Sequence, residues 1–122
     1  MHTILVIEDD NDLRDVISTS LLDAGYQVEV AETSEAGFNM VKNNKPELIL
    51  LDMMTNSWHG LKFLEELRKL PTHQNDSKVI VLTNLDSETT REQTVSYRVD
   101  DYIVKANSSI EDIIKKVGSV LK

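Results

Sequence analysis

Three runs of four consecutive apolar residues recur along the chain: Ile4-Leu5-Val6-Ile7, Leu48-Ile49-Leu50-Leu51 and Val79-Ile80-Val81-Leu82. Such runs, bounded by polar residues, mark strands covered on both faces. Gln27-Val28-Glu29-Val30 alternates polar and apolar instead, as a strand at a sheet edge does, and Tyr102-Ile103-Val104 is a short fifth strand. Between the strands the period changes to that of a helix. Leu13, Val16, Ile17, Leu21 and Ala24 share one helical face, with Gly25 where a left-handed C-terminal cap belongs. Ala36, Met40 and Val41 mark a second helix, begun by Thr33 or Ser34 and followed by Pro46. Leu61, Phe63, Leu64, Leu67 and Leu70 mark a third, stopped by Pro71, and Ser109 to Leu121 is a well-patterned last helix. The fourth, about Ser87 to Tyr97, is nearly all polar and offers only Val95 and Tyr97 for burial. A helix so weakly anchored is a candidate moving part.

Five strands alternating with five helices predict an α/β fold with a doubly wound, five-stranded parallel sheet. Right-handed crossovers and the edge-like second strand favour the order 2-1-3-4-5. The choice of that order leans on known doubly wound sheets, because local patterning alone does not select it. In such sheets ligands bind outside the carboxyl ends of the strands, where the order reverses, here between strands one and three. Glu8, Asp9 and Asp10 follow strand one, and Asp52 ends strand three.

The 122 residues read as one domain, 1–122, without repeats or linkers. Apolar runs of four residues are far too short to cross a bilayer, and the N-terminus has no signal-peptide pattern. Together with the absence of cysteine, this predicts a cytoplasmic protein that makes no membrane contact. The net charge of −8 argues against nucleic-acid binding and leaves room for a basic protein partner or a divalent cation.

Glu8, Asp9 and Asp52, brought together by this order, repel one another unless a cation joins them. An all-oxygen site with few protein ligands suits Mg2+ better than a softer metal. Thr83 ends strand four and Lys105 ends strand five, so a hydroxyl and an ammonium border the same pocket. These are the parts that phosphoryl transfer to a carboxylate needs: a nucleophile, a metal, and donors to the phosphoryl oxygens. Any one of the five residues alone reads as a polar end to a buried strand; all five at one sheet edge point to a site. No Gly-rich phosphate loop is present, so nucleotide binding is not expected. His2, His59 and His73 share no ligand spacing and read as surface residues. Trp58 reads as incidental loop packing or part of a contact surface.

Glu8-Asp9-Asp10, Asp52, Thr83 and Lys105, in this order and spacing, resemble the receiver domain of two-component response regulators, in its single-domain chemotaxis (CheY-like) form. Asp100-Asp101-Tyr102-Ile103-Val104-Lys105 is a further match, and the likeness covers the whole chain. The resemblance implies a flavodoxin-like fold with Asp52 as phosphoacceptor, modified by a histidine kinase or histidine phosphotransfer protein. Asp9 would bind Mg2+ directly, together with Asp52 and the backbone carbonyl of Met54, while Glu8 would act through water. Lys105 would pair with the phosphoryl oxygens. Thr83 would move inward to the phosphoryl group and let Tyr102 swing inward, switching a surface around helix four, strand five and helix five toward a downstream protein target not identified by the sequence. A receiver catalyses its own phosphorylation but turns over no substrate, and no output domain is expected in this chain.

The sequence departs from the family at three places. Ala106 follows Lys105 where proline with a cis peptide is usual; a non-proline cis bond costs about 3 kcal/mol, so the loop is either trans and differently shaped or strained. Thr55-Asn56-Ser57-Trp58-His59-Gly60 keeps only the family's glycine, and Arg98-Val99 stands where Gly-Ala is common. Two alternatives remain. One is a degenerate receiver that acts only as an interaction module, supported by the missing proline. The other is a metal-dependent hydrolase with an aspartyl-phosphate intermediate, opposed by Met54 at the place of that class's second acid.

Overall fold

The computed structural model describes residues 2–54, 59–71, 76–84 and 87–122, without the side chains of residues 87–90. Strands β1 (Thr3–Ile7), β2 (Gln27–Ala31), β3 (Leu48–Asp52), β4 (Lys78–Thr83) and β5 (Asp101–Val104) alternate with five helices. These are α1 (Asn11–Asp23), α2 (Ser34–Asn43), α3 (Gly60–Arg68), α4 (Ser87–Thr94) and α5 (Ile110–Leu121). Every strand pairing is parallel and the order is β2-β1-β3-β4-β5, as expected. Trp58, His73 and the Thr55 to Ser57 stretch lie outside the described residues.

The two-residue period of the strands sorts their side chains into two cores. Ile4, Val6, Leu48, Leu50, Ile80, Leu82 and Ile103 pack with Ile17 and Leu21 of α1 and Ile113 and Val117 of α5. Leu5, Ile7, Ile49, Leu51, Val79 and Val81 pack on the opposite face with Phe38 and Val41 of α2 and Phe63, Leu64 and Leu67 of α3. Each such side chain contributes about 1.5–3 kcal/mol by leaving water. Polar side chains start the helices: Asp10 accepts from Leu13 N, Thr33 accepts from Ala36 N, and Ser109 and Asp112 form a reciprocal capping box. Gly25 is left-handed, φ +101°, as its position after α1 predicts. Among the described residues no helix is long and apolar enough to cross a membrane.

Three expectations need correction. Val16 is 47% exposed and Ala24, the C-cap, is exposed too, because Ile17 and Leu21 occupy the buried stripe of α1. In α2 Phe38 and Gly37 join the expected Val41 in facing the core, while Ala36 turns outward. Val95 is exposed as well, since α4 ends at Thr94 and a 3-10 turn, Val95–Tyr97, follows. The buried anchor of α4 is Thr94, whose hydroxyl lies 2.6 Å from the Tyr102 hydroxyl of β5. The helix is thus tied down in part by a hydroxyl pair, which apolar periodicity does not register.

Arg68, at the end of α3, ties distant backbone together. Its guanidinium donates to the carbonyls of Tyr97 (2.7 Å), Ser77 (3.1 Å) and Arg98 (2.8 Å). Burial lowers its pKa to about 10, which leaves it charged at neutral pH. The carbonyl it holds at Arg98 belongs to a left-handed residue, φ 59°, a conformation costing a non-glycine residue about 1–2 kcal/mol.

Gly60, the first residue of α3, packs directly on Met53. Its N–H donates to Met53 O at 2.8 Å, and Met54 bridges His59 in antiparallel fashion beside it. A Cβ here would stand 2.9 Å from the Met53 Cα and closer still to its sulfur. Gly60→Ala should therefore lower unfolding free energy by about 1–3 kcal/mol, the usual range for overpacking. Urea unfolding measures this, and an unchanged midpoint would contradict the close approach.

Candidate functional site

The acidic corner forms because β1 and β3 are neighbours in register, Ile7 opposite Leu51, so the residues that follow them emerge side by side. Glu8 is fully buried and Asp52 2% exposed, while Asp9 is half-buried. One carboxylate oxygen from each of the three lies within 4.8 Å of the others. Burying like charges together is unfavourable without a counter-charge.

Lys105 supplies one. Its ammonium lies 2.6 Å from Glu8 Oε1 and 3.4 Å from Asp52 Oδ2. The Lys105–Ala106 peptide is trans, and Lys105–Asn107 forms a 3-10 turn. The lysine reaches the acids without the family's proline. Burial alone would lower the Lys105 pKa, but Glu8 and Asp52 outweigh that and raise it. Glu8 moves up as well, to about 7, because the effect of burial exceeds that of the ammonium. The ammonium that pairs with Glu8 at 2.6 Å is shared with Asp52, whose own charge adds to the rise.

Main-chain donors hold the other oxygens. Asp10 N donates to Glu8 Oε2 and Met54 N to Asp52 Oδ1, each at 3.1 Å. The second bond brings the Met54 backbone to the rim of the corner, while its side chain is 62% exposed. Thr83 is buried at the end of β4, one residue beyond Leu82, which faces Asp52 in register; its own partner is Val104, next to Lys105. Glu8, Asp9, Asp52, Met54 and Lys105 therefore come together as the sequence predicts, with Thr83 at the adjoining strand end. Tyr102 lies further back, opposite Val81. Its ring packs beneath the Arg91 guanidinium, 4.3 Å from the ring centre, and its hydroxyl meets Thr94.

Sequence reading passed over two contributors. Arg14 donates from Nη1 to the Glu8 carbonyl at 2.9 Å and from Nη2 to Asn11 Oδ1 at 2.6 Å. Its signal was a cation in the first turn of a helix, where the dipole disfavours it, next to three acids. His59, exposed as expected, also caps α3 by accepting from Leu61 N through Nδ1.

With three carboxylates and one ammonium the corner is acidic, and the side-chain atoms it offers a metal are all oxygen. That set fits a small divalent cation such as Mg2+. The raised Glu8 pKa sets a pH dependence in metal-free protein. A carboxyl whose folded pKa lies above its ordinary 4.5 contributes stability that is complete below that value and lost as pH rises through about 7. Asp112, lowered by its bonds at Ser109, acts in the opposite sense and only at more acidic pH. Urea midpoints in EDTA should fall between about pH 4.5 and 7, and Glu8→Gln should flatten that fall. The same slope in Glu8→Gln would place its origin elsewhere.

Comparison with known proteins agrees with this geometry. The family model described as the response regulator receiver domain matches residues 4–118. The response regulator MprA of Mycobacterium sp. (strain KMS) is 30% identical over 119 residues, covering 98% of this chain and 50% of that protein. The probable transcriptional regulator ycf27 of Porphyridium aerugineum is 34% identical, covering 98% of this chain and 48% of that protein. The chain thus spans about half the length of these curated relatives. A CheY-like response regulator receiver domain protein from Methanospirillum hungatei JF-1 superposes with a TM-score of 0.89 at 27% identity, covering 99% of this chain and 94% of that one.

Proposed function

Because this chain belongs to the response regulator receiver family, we propose that Asp52 accepts a phosphoryl group, with Mg2+, from a histidine kinase or histidine phosphotransfer protein. Residues 1–122 act as one cytoplasmic signalling unit whose modification changes its protein contacts. The observation that carries this reading is the Asp52 carboxylate, buried at the acidic corner with Oδ2 3.4 Å from the Lys105 ammonium.

Asp9, Asp52 and the Met54 carbonyl would hold the ion, with Glu8 acting through water. A bound Mg2+ supplies neutralisation of the charge on the transferring oxygens. The chain's own groups do the rest. An Asp52 oxygen bonds to phosphorus as the bond from phosphorus to the donor's imidazole nitrogen breaks, leaving an acyl phosphate on Asp52. Met54 N keeps Oδ1 in place and so orients the carboxylate. Lys105 transfers its charge from Asp52 to the new phosphoryl oxygens, and the Thr83 hydroxyl donates to one of them. That inward pull on the end of β4 acts on α4 and on Tyr102, which Thr94 and Arg91 join to α4. The affected surface lies around α4, β5 and α5. The interaction-only alternative drew its support from Ala106, yet Lys105 still reaches both acids, which favours the phosphoacceptor reading.

Intact-protein mass after incubation with a small acyl-phosphate donor tests it. One phosphoryl group should be gained with Mg2+, none in EDTA, and none in Asp52→Asn. No gain by wild type under any condition, or equal gain by Asp52→Asn, would contradict the assignment.

A further inference from the structure

We propose that Arg14 is a positioning residue for the divalent cation, setting the orientation of Asp9 through the Glu8–Asp9 peptide. The inference rests on the Mg2+ reading given above. Glu8 lies just past the end of β1, so its carbonyl falls beyond the last residue of the strand. Its N–H still donates to Ala31 O at 3.1 Å, and its Oε2 accepts from Asp10 N. The carbonyl is held by Arg14 Nη1 at 2.9 Å. A peptide unit is planar, so a donor that fixes this oxygen also fixes the plane ending in the Asp9 amide. Asp9, half-buried at the corner, hangs from that plane.

The arginine is itself held. Its side chain is 11% exposed, with Nη2 at 2.6 Å from Asn11 Oδ1 and at 3.7 Å from Glu32. The planar fork lets one side chain bind the carbonyl and Asn11 together, which a lysine cannot reproduce. A cation in the first turn of α1 opposes the helix dipole, so the helix gains nothing from the charge itself. Lys105 and Arg14 thus divide the work. Lys105 neutralises carboxylate oxygens directly, whereas Arg14 binds main chain and leaves the carboxylate oxygens to the metal. Partners that orient metal ligands from behind commonly change affinity by 10–100-fold.

Charge and position predict opposite signs, which makes the test decisive. By Coulomb's law alone, removing a positive charge beside an acidic site tightens cation binding. Removing the clamp loosens it. Calorimetric titration with MgCl2 at constant ionic strength, on wild type, Arg14→Met and Arg14→Lys, separates the two, with urea unfolding in EDTA as the check on folding. Arg14→Met should bind Mg2+ about tenfold more weakly, with Arg14→Lys between it and wild type. Unchanged or tighter binding by Arg14→Met overturns the inference while leaving the metal site intact. If Arg14→Met does not fold, Arg14→Lys decides: weaker binding supports the clamp and wild-type affinity overturns it. A wild-type chain that takes up no Mg2+ overturns the metal reading, and this inference with it.

Discussion

The ammonium of Lys105 makes the rest of the site possible. Two carboxylates, Glu8 and Asp52, are buried at neighbouring strand ends with Asp9 beside them. At an effective dielectric of about 20, unit charges about 4 Å apart interact by roughly 4 kcal/mol. Desolvation adds several kcal/mol for each ion. Those are large terms for a domain whose net stability is about 5–15 kcal/mol. One ammonium within reach of both acids offsets part of this, while burial still pushes the Glu8 carboxyl up to about 7. The remaining negative charge is what a divalent cation would neutralise.

The fold serves that corner from three directions. Strand order and register deliver Glu8, Asp52, Thr83 and Lys105 to one edge, so their placement follows from the packing of two apolar layers. Backbone donors at Asp10 and Met54 and the Arg14 guanidinium then fix individual oxygens. The close packing of Gly60 on Met53 holds the start of α3 against the residue that follows Asp52. On the other side, the described contacts of α4 include the Thr94–Tyr102 hydroxyl pair and the Arg91 guanidinium on the Tyr102 ring, which join it to β5.

The strands were legible because buried parallel strands write themselves as continuous apolar runs, and all five lie within a residue or so of where the pattern places them. The strand order came from likeness to a known class, since local patterning carries little information on which strands pair. The five polar residues stood out because each sits at or just past the carboxyl end of an apolar strand. Arg14 and Arg68 did not, because long cationic side chains on helices usually face solvent and their carbonyl partners leave no trace in sequence. Thr94 was missed for the same kind of reason: a buried hydroxyl pair looks like any polar helix position. Val16 and Val95 show the converse, apolar residues left outside: the first because Ile17 and Leu21 already occupy the buried stripe, the second because α4 gives way to a 3-10 turn there.

The most direct test of this account is the unfolding midpoint of Lys105→Met against wild type, measured first in EDTA and then in saturating Mg2+. If the ammonium is what reconciles the buried acids, the variant is less stable by about 3 kcal/mol or more in EDTA, as when one partner of a buried pair is removed. Mg2+ should then restore most of the difference by taking over the same charge. A variant as stable as wild type in EDTA, or a deficit that Mg2+ leaves untouched, would contradict the claim that Lys105 and a cation share one electrostatic role.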